Sequence, residues 1–172
     1  MNIEDYFFNL GWICINEIKK ENLVEILDLK IDSSINWEEG YELITNSFDE
    51  KIFLNFKIEN WEILIGKYFF LDFNTLKKTM NNLSYESKAV KSFAIDMWSN
   101  FYCYSESIDG KNIRLWNQND EGVINEGVLT KDEMMISEDD DVNKILQLAD
   151  KTTVRFQIIE EYLKKNEVHI LK

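Results

Sequence analysis

Lys51-Ile52-Phe53-Leu54-Asn55-Phe56-Lys57-Ile58-Glu59-Asn60-Trp61-Glu62-Ile63-Leu64-Ile65-Gly66-Lys67-Tyr68-Phe69-Phe70 holds two runs of alternating side chains around a short polar break. In the first run Ile52, Leu54 and Phe56 alternate with Phe53 and Asn55. In the second, Trp61, Ile63, Ile65 and Lys67 alternate with Glu62, Leu64, Gly66 and Tyr68. A period of two is that of a β-strand, whose successive side chains point to opposite faces. Ile58-Glu59-Asn60 between the runs predicts a turn. The second run carries apolar groups on both faces, which places it centrally in its sheet.

Outward from this stretch the two periods of regular structure recur. Upstream, Gly11-Trp12-Ile13-Cys14-Ile15 reads as a short buried strand. Residues 20–29 read as a helix with Leu23, Val24, Ile26 and Leu27 in a wide stripe, and Asp32-Ser33-Ser34 breaks it. Residues 35–44 read as a strand bent at Gly40. Downstream, Leu76, Met80 and Leu83 fall at i, i+4 and i+7 behind a cap at Asn74 or Thr75, one face of a helix. Residues 90–95 and 97–105 read as strands, the second rich in aromatics. Asp109-Gly110 between apolar runs predicts a hairpin, because both central positions of its favoured turn need positive φ. Residues 119–122 predict another turn. Val142, Ile145, Leu146 and Ala149 make a further helical face, with Asp139, Asp140 and Asp141 at its N-terminus, where carboxylates meet exposed amides. Residues 153–165 complete the helices, and Val168-His169-Ile170-Leu171 adds an edge strand. The sum is one α+β domain over residues 1–172, a mostly antiparallel sheet packed with three or four helices.

The residue types exclude most familiar chemistries. At 45% apolar and 13% aromatic, the chain has ample core for a folded domain. No stretch approaches the roughly 20 apolar residues of a membrane span. Residues 1–8 carry Glu4 and Asp5 in place of a signal peptide's basic region, so the expected location is cytoplasmic. Cys14 and Cys103 lie far apart in apolar runs and make no Cys-x-x-Cys, which points to two buried free thiols, a disulfide being the alternative, and not to zinc. His169 is the only histidine, so any Ser-His-Asp, Cys-His or His-metal centre has to use it. The six glycines are isolated and build no phosphate loop. Glu138 to Asp141 are consecutive acids without the alternate spacing and glycine of a calcium loop. No carboxylate pair stands out for glycosidase-type work. The expectation is a chain without catalytic residues, cofactor or metal.

Charge is the pronounced signal. Between 120 and 141 stand Asp120, Glu121, Glu126, Asp132, Glu133, Glu138, Asp139, Asp140 and Asp141 against Lys131, nine acids less one base, or −8 of the chain's −13. Such a field repels nucleic acid and anionic membrane and attracts basic surfaces. Trp98, Phe101, Tyr102 and Tyr104 have the composition of a base-stacking set, but such platforms sit in basic grooves, so core packing with an exposed tyrosine or two is expected. Helix-start chemistry accounts for Asp139 to Asp141. Asp120, Glu121, Glu126, Asp132 and Glu133, with Glu138 as an addition, are left as candidate protein-binding residues in loops beyond the Asp109-Gly110 hairpin. The competing reading is a solvated charge run that aids solubility.

Trp37-Glu38-Glu39-Gly40, Trp61-x-x-Leu64-x-Gly66, Leu83-Ser84, Ser92-Phe93, Asp109-Gly110-x-x-Ile113-Arg114, Asn125-Glu126-Gly127-x-x-Thr130-x-x-Glu133 and Val142-x-x-Ile145 occur in that order. The order resembles a widespread bacterial family of single-domain proteins with no assigned activity, over roughly Trp37 to Ala149. The chain departs from it at Lys151-Thr152-Thr153, where that family tends to carry an acidic residue and a proline. The resemblance implies a compact α+β unit and brings no catalytic residues.

These readings converge on a protein that works by binding a basic protein surface. Its concrete form is a bacterial or phage inhibitor: a toxin immunity protein, or an anti-defence protein of the anti-CRISPR kind, blocking a nucleic-acid-binding nuclease. The alternatives are a small carboxylate-dependent enzyme and a structural module of a larger assembly.

Overall fold

The computed structural model describes residues 3–47, 51–67, 73–136 and 141–172. Its strands are β1 (Leu10–Asn16), β2 (Ile31–Ile35), β3 (Phe53–Ile58), β4 (Trp61–Gly66), β5 (Ala89–Asp96), β6 (Phe101–Ile108), β7 (Lys111–Asn119), β8 (Gly122–Gly127) and β9 (Val168–Leu171). They form one sheet in the order β2-β9-β3-β4-β1-β5-β6-β7-β8, and each pairing is antiparallel. The helices are α1 (Lys20–Leu27), α2 (Trp37–Asn46), α3 (Phe73–Tyr85), α4 (Lys131–Met134), α5 (Asp141–Thr152) and α6 (Phe156–Leu163), with a 3-10 turn at Ile3–Phe7. This is an α+β fold. No helix among the described residues is long and apolar enough to cross a membrane.

The opening stretch folds as its period dictates. β3 and β4 pair from Phe53 against Gly66 to Ile58 against Trp61, and Glu59 takes φ 54° in the turn. β4 lies inside the sheet, and its two faces feed two cores. Ile63 and Ile65 point to the core under the 3-10 turn, α2, α5 and α6, while Leu64 points to the one under α1 and α3. Helices on both sides of a sheet explain why the central strands are apolar on both faces.

A ladder of aromatic side chains crosses the sheet on the α5 side. Phe7 meets Trp12 at 4.8 Å, Trp12 stacks on Phe93 at 5.4 Å, and Phe93 stacks on Tyr104 at 5.4 Å. Trp12, Phe93, Tyr104 and Trp116 occupy successive cross-strand positions on β1, β5, β6 and β7, the pairs that do most to fix register. The Lys144 ammonium lies 4.5 Å over the Trp116 ring.

The Asp109-Gly110 hairpin forms with φ 49° and 73°. A Cβ on Gly110 would sit 2.0 Å from the Tyr85 ring, so both the turn and its neighbour demand glycine. Four readings of the sequence change. Residues 37–46 are helix α2, not a bent strand: Asn36 accepts from the Glu39 N–H at 3.0 Å, and Trp37, Gly40 and Ile44 make the buried face. Gly40 lets that helix approach β3, since a Cβ there would meet Leu54 at 3.0 Å. Asp32-Ser33-Ser34 is not a break but exposed strand β2. β9 is not an edge strand, because β2 closes outside it. With α2 and the single turn α4, the helices exceed the expected four.

Candidate functional site

The candidate acids gather at the β8 end of the sheet, each in a different setting. Asp120 and Glu121 form the two-residue turn between β7 and β8, shaped by the Glu121 N–H donating to Asn119 Oδ1 at 3.0 Å. Glu126 projects from β8 towards α3 and pairs with Lys77 at 2.6 Å, with 56% of its side chain still exposed. Asp132 lies in α4, 3.8 Å from Lys151. Glu138 lies outside the described residues, as do Asp139 and Asp140; Asp141 opens α5.

Glu133 is not a surface residue. Its carboxylate takes two bonds of 2.9 Å from Arg114 Nε and one of 2.7 Å from Arg114 Nη2, and both side chains are 1% exposed. The Thr130 N–H donates to Glu133 Oε2 at 2.9 Å and the Glu133 N–H to Thr130 Oγ1 at 3.2 Å, a complete capping box that starts α4. Burial alone pushes this carboxyl up; Arg114 and the Thr130 N–H outweigh it and hold it below the ordinary range. The remaining donors of Arg114 go to the Leu115 carbonyl at 2.9 Å, Asn125 Oδ1 at 2.8 Å and the Glu126 carbonyl at 2.8 Å. The pair therefore fastens β8 to β7 and α4 to both. Glu133 leaves the set of interface residues. Thr130-x-x-Glu133 is the capping-box spelling, the signal by which the sequence marks this helix start.

Trp98 is the residue that sequence reading missed as a surface group. It lies in the turn between β5 and β6, not in a strand, and is 89% exposed, with Met97 exposed beside it. Asp96 builds the turn: Oδ1 accepts from the Trp98 N–H at 2.9 Å and Oδ2 from the Ser99 hydroxyl at 2.6 Å. Asn100 Nδ2 then donates to Asp120 Oδ1 at 3.2 Å. That bond ties the tryptophan turn to the acidic turn. Phe101 and Tyr104 are buried, so the aromatic group is core apart from Trp98 and a half-buried Tyr102.

No family model, curated protein or solved structure matches this chain.

The two thiols are sequestered, and the one histidine is partly exposed. Cys14 and Cys103 are free and buried, and desolvation pushes both thiols up to about 12, far from the reactive range. His169 Nδ1 lies 3.0 Å from Ser34 Oγ; burial, then Lys20, pulls its pKa down. A cleft of about 610 Å³ opens among Met135, Asn143, Gln147, Lys151 and Arg155. Two carboxylates line it: Asp150, which accepts from the Phe156 N–H at 2.7 Å at the start of α6, and Glu4 of the 3-10 turn. No cluster of three or more His, Cys, Asp or Glu suited to a metal occurs among the described residues.

Proposed function

We propose that this chain is an acidic protein-binding inhibitor, of the toxin-immunity or anti-CRISPR kind, that occupies the basic surface with which a nuclease grips nucleic acid. The observation that carries the reading is the hydrogen bond from Asn100 to Asp120, which joins the turn that carries exposed Trp98 to the Asp120–Glu121 turn. Interfaces draw most of their affinity from a few aromatic anchors, while the charges around them set encounter rate and salt sensitivity. Asp132 extends the acidic rim along α4, and Glu126 adds to it despite its bond to Lys77. Arginines and lysines of a nucleic-acid site are the complementary chemistry.

The test uses the partner that co-purifies from the source organism. Asp120→Asn with Glu121→Gln and Asp132→Asn slows association and flattens its salt dependence. Trp98→Ala weakens binding by about 2 kcal/mol or more through faster dissociation. The partner binds nucleic acid, and the wild-type chain displaces it. Unchanged association rate and unchanged salt slope in the triple variant remove the acids from the mechanism.

A further inference from the structure

β8 ends the sheet, and all six of its residues are exposed. The direction of its backbone groups follows from three bonds. The Ser105 hydroxyl donates to the Arg114 carbonyl at 3.1 Å, so Arg114 turns its backbone towards β6 and Leu115 turns towards β8. Arg114 Nη1 reaches the carbonyls of both Leu115 and Glu126, which therefore lie together between β7 and β8. Leu115 and Glu126 are thus a hydrogen-bonded pair, and strand alternation turns the N–H and C=O of Val123 and Asn125, and the N–H of Gly127, outward. Those groups have no backbone partner among the described residues.

The two edges of the sheet differ. β2 is five residues long, its register slips between Ile31 and Ser33, and its Asp32 is paired with Lys172 at 2.9 Å. A bulge, a short strand and charged side chains on it are devices that keep an edge from pairing. β8 runs in unbroken register from Gly122 to Gly127 and has no bulge. Arg114 holds it from behind through Asn125 and Glu126, so the edge is already in strand geometry before anything binds. Val123, 59% exposed, stands on it, with Val128, 85% exposed, and Leu129 just beyond its end.

We propose that the outer edge of β8 is a docking edge to which an extended basic segment of a partner protein adds as a further strand. This rests on the acidic-surface reading and specifies how the surface is engaged. Charge complementarity chooses the occupant. Asp120, Glu121 and Glu126 lie on this strand and its turn, with Asp132 on α4 beyond its far end, in a chain of net charge −13. A second copy would bring the same acids and the same net charge to the edge. A strand alternating basic and apolar residues satisfies the outward N–H and C=O groups, pairs with the acids and covers Val123.

The test uses a blocked eight-residue peptide alternating lysine with valine, the same peptide N-methylated along one edge, and a glutamate–valine counterpart. Binding to the isotopically labelled full chain is followed by NMR. The lysine peptide shifts the Val123, Asn125 and Gly127 amides and slows their hydrogen exchange; the other two peptides do neither. Val123→Pro removes one outward N–H without touching the bonds to β7 and weakens binding about tenfold, whereas Val123→Ala, which keeps that N–H, changes it by less than about threefold. If the N-methylated peptide binds as well as the parent, charge alone holds it: the docking edge is refuted and the acidic surface stands. If the lysine peptide perturbs neither β8 nor the Asp120 and Glu121 turn, both readings fall. Sedimentation shows the wild-type chain as a monomer; a dimer that Val123→Pro dissolves assigns the edge to a second copy and overturns the proposal.

Discussion

Glu133→Ala should be among the most damaging single changes at the β8 end of the molecule. It leaves Arg114, 1% exposed, with an uncompensated charge, and it deletes half of the capping box at α4. Stranding one member of a buried ion pair costs about 3–5 kcal/mol, and a lost cap adds about 1. Against a total stability of about 5–15 kcal/mol for a domain, that is about a quarter or more of what holds the chain folded. At roughly 2–4 °C per kcal/mol for a chain of this size, the melting midpoint falls by about 8–24 °C. Urea unfolding followed by tryptophan fluorescence measures the loss directly. The pH dependence gives an independent check. Because the folded carboxyl lies below its unfolded value, its contribution is complete at neutral pH and is lost as pH falls below the ordinary glutamate range towards the folded value. Glu133→Gln therefore loses stability at pH 7 but flattens the acid limb of the stability curve. The double change Arg114→Met with Glu133→Leu should recover much of the loss, since an apolar pair needs no desolvation. A loss below about 1 kcal/mol in Glu133→Ala, or a double variant no better than the single one, would refute the assignment of Glu133 as a structural anion.

Two further outcomes test the fold. Cys14 and Cys103, with thiols pushed up to about 12, should resist an aromatic disulfide reagent at pH 8 in the native state and react together on unfolding; fast native labelling of either contradicts its burial. Asn36→Ala removes the side chain that caps α2 and should cost about 1 kcal/mol by urea titration, an effect absent if residues 37–46 were strand.

Much of the sheet was legible because its signals are local. The alternation in β3 and β4, the Asp109-Gly110 turn and the 3.6-residue stripes of α3 and α5 depend only on residues a few positions apart. Residues 37–46 misled because Trp37, Tyr41 and Ile44 are strand-prone types that also fall on one helical face, and Asn36 as a cap decides between the two periods. β8 escaped notice because an edge strand exposed on both faces has no hydrophobic alternation to read.

What the sequence determined by itself was the α+β class, the hairpins and the concentration of acid between 120 and 141. Only the tertiary structure decided what each acid does. It buried Glu133 against Arg114, nineteen residues away, and joined the turn of Trp98 to that of Asp120 through Asn100. It also inserted β9 between β2 and β3, leaving β2 and β8 as the two edges. The physical reason is that local periods fix which way a side chain points from its own strand. Which strands become neighbours follows from burying both faces of the whole sheet at once, a condition that no short stretch of chain contains.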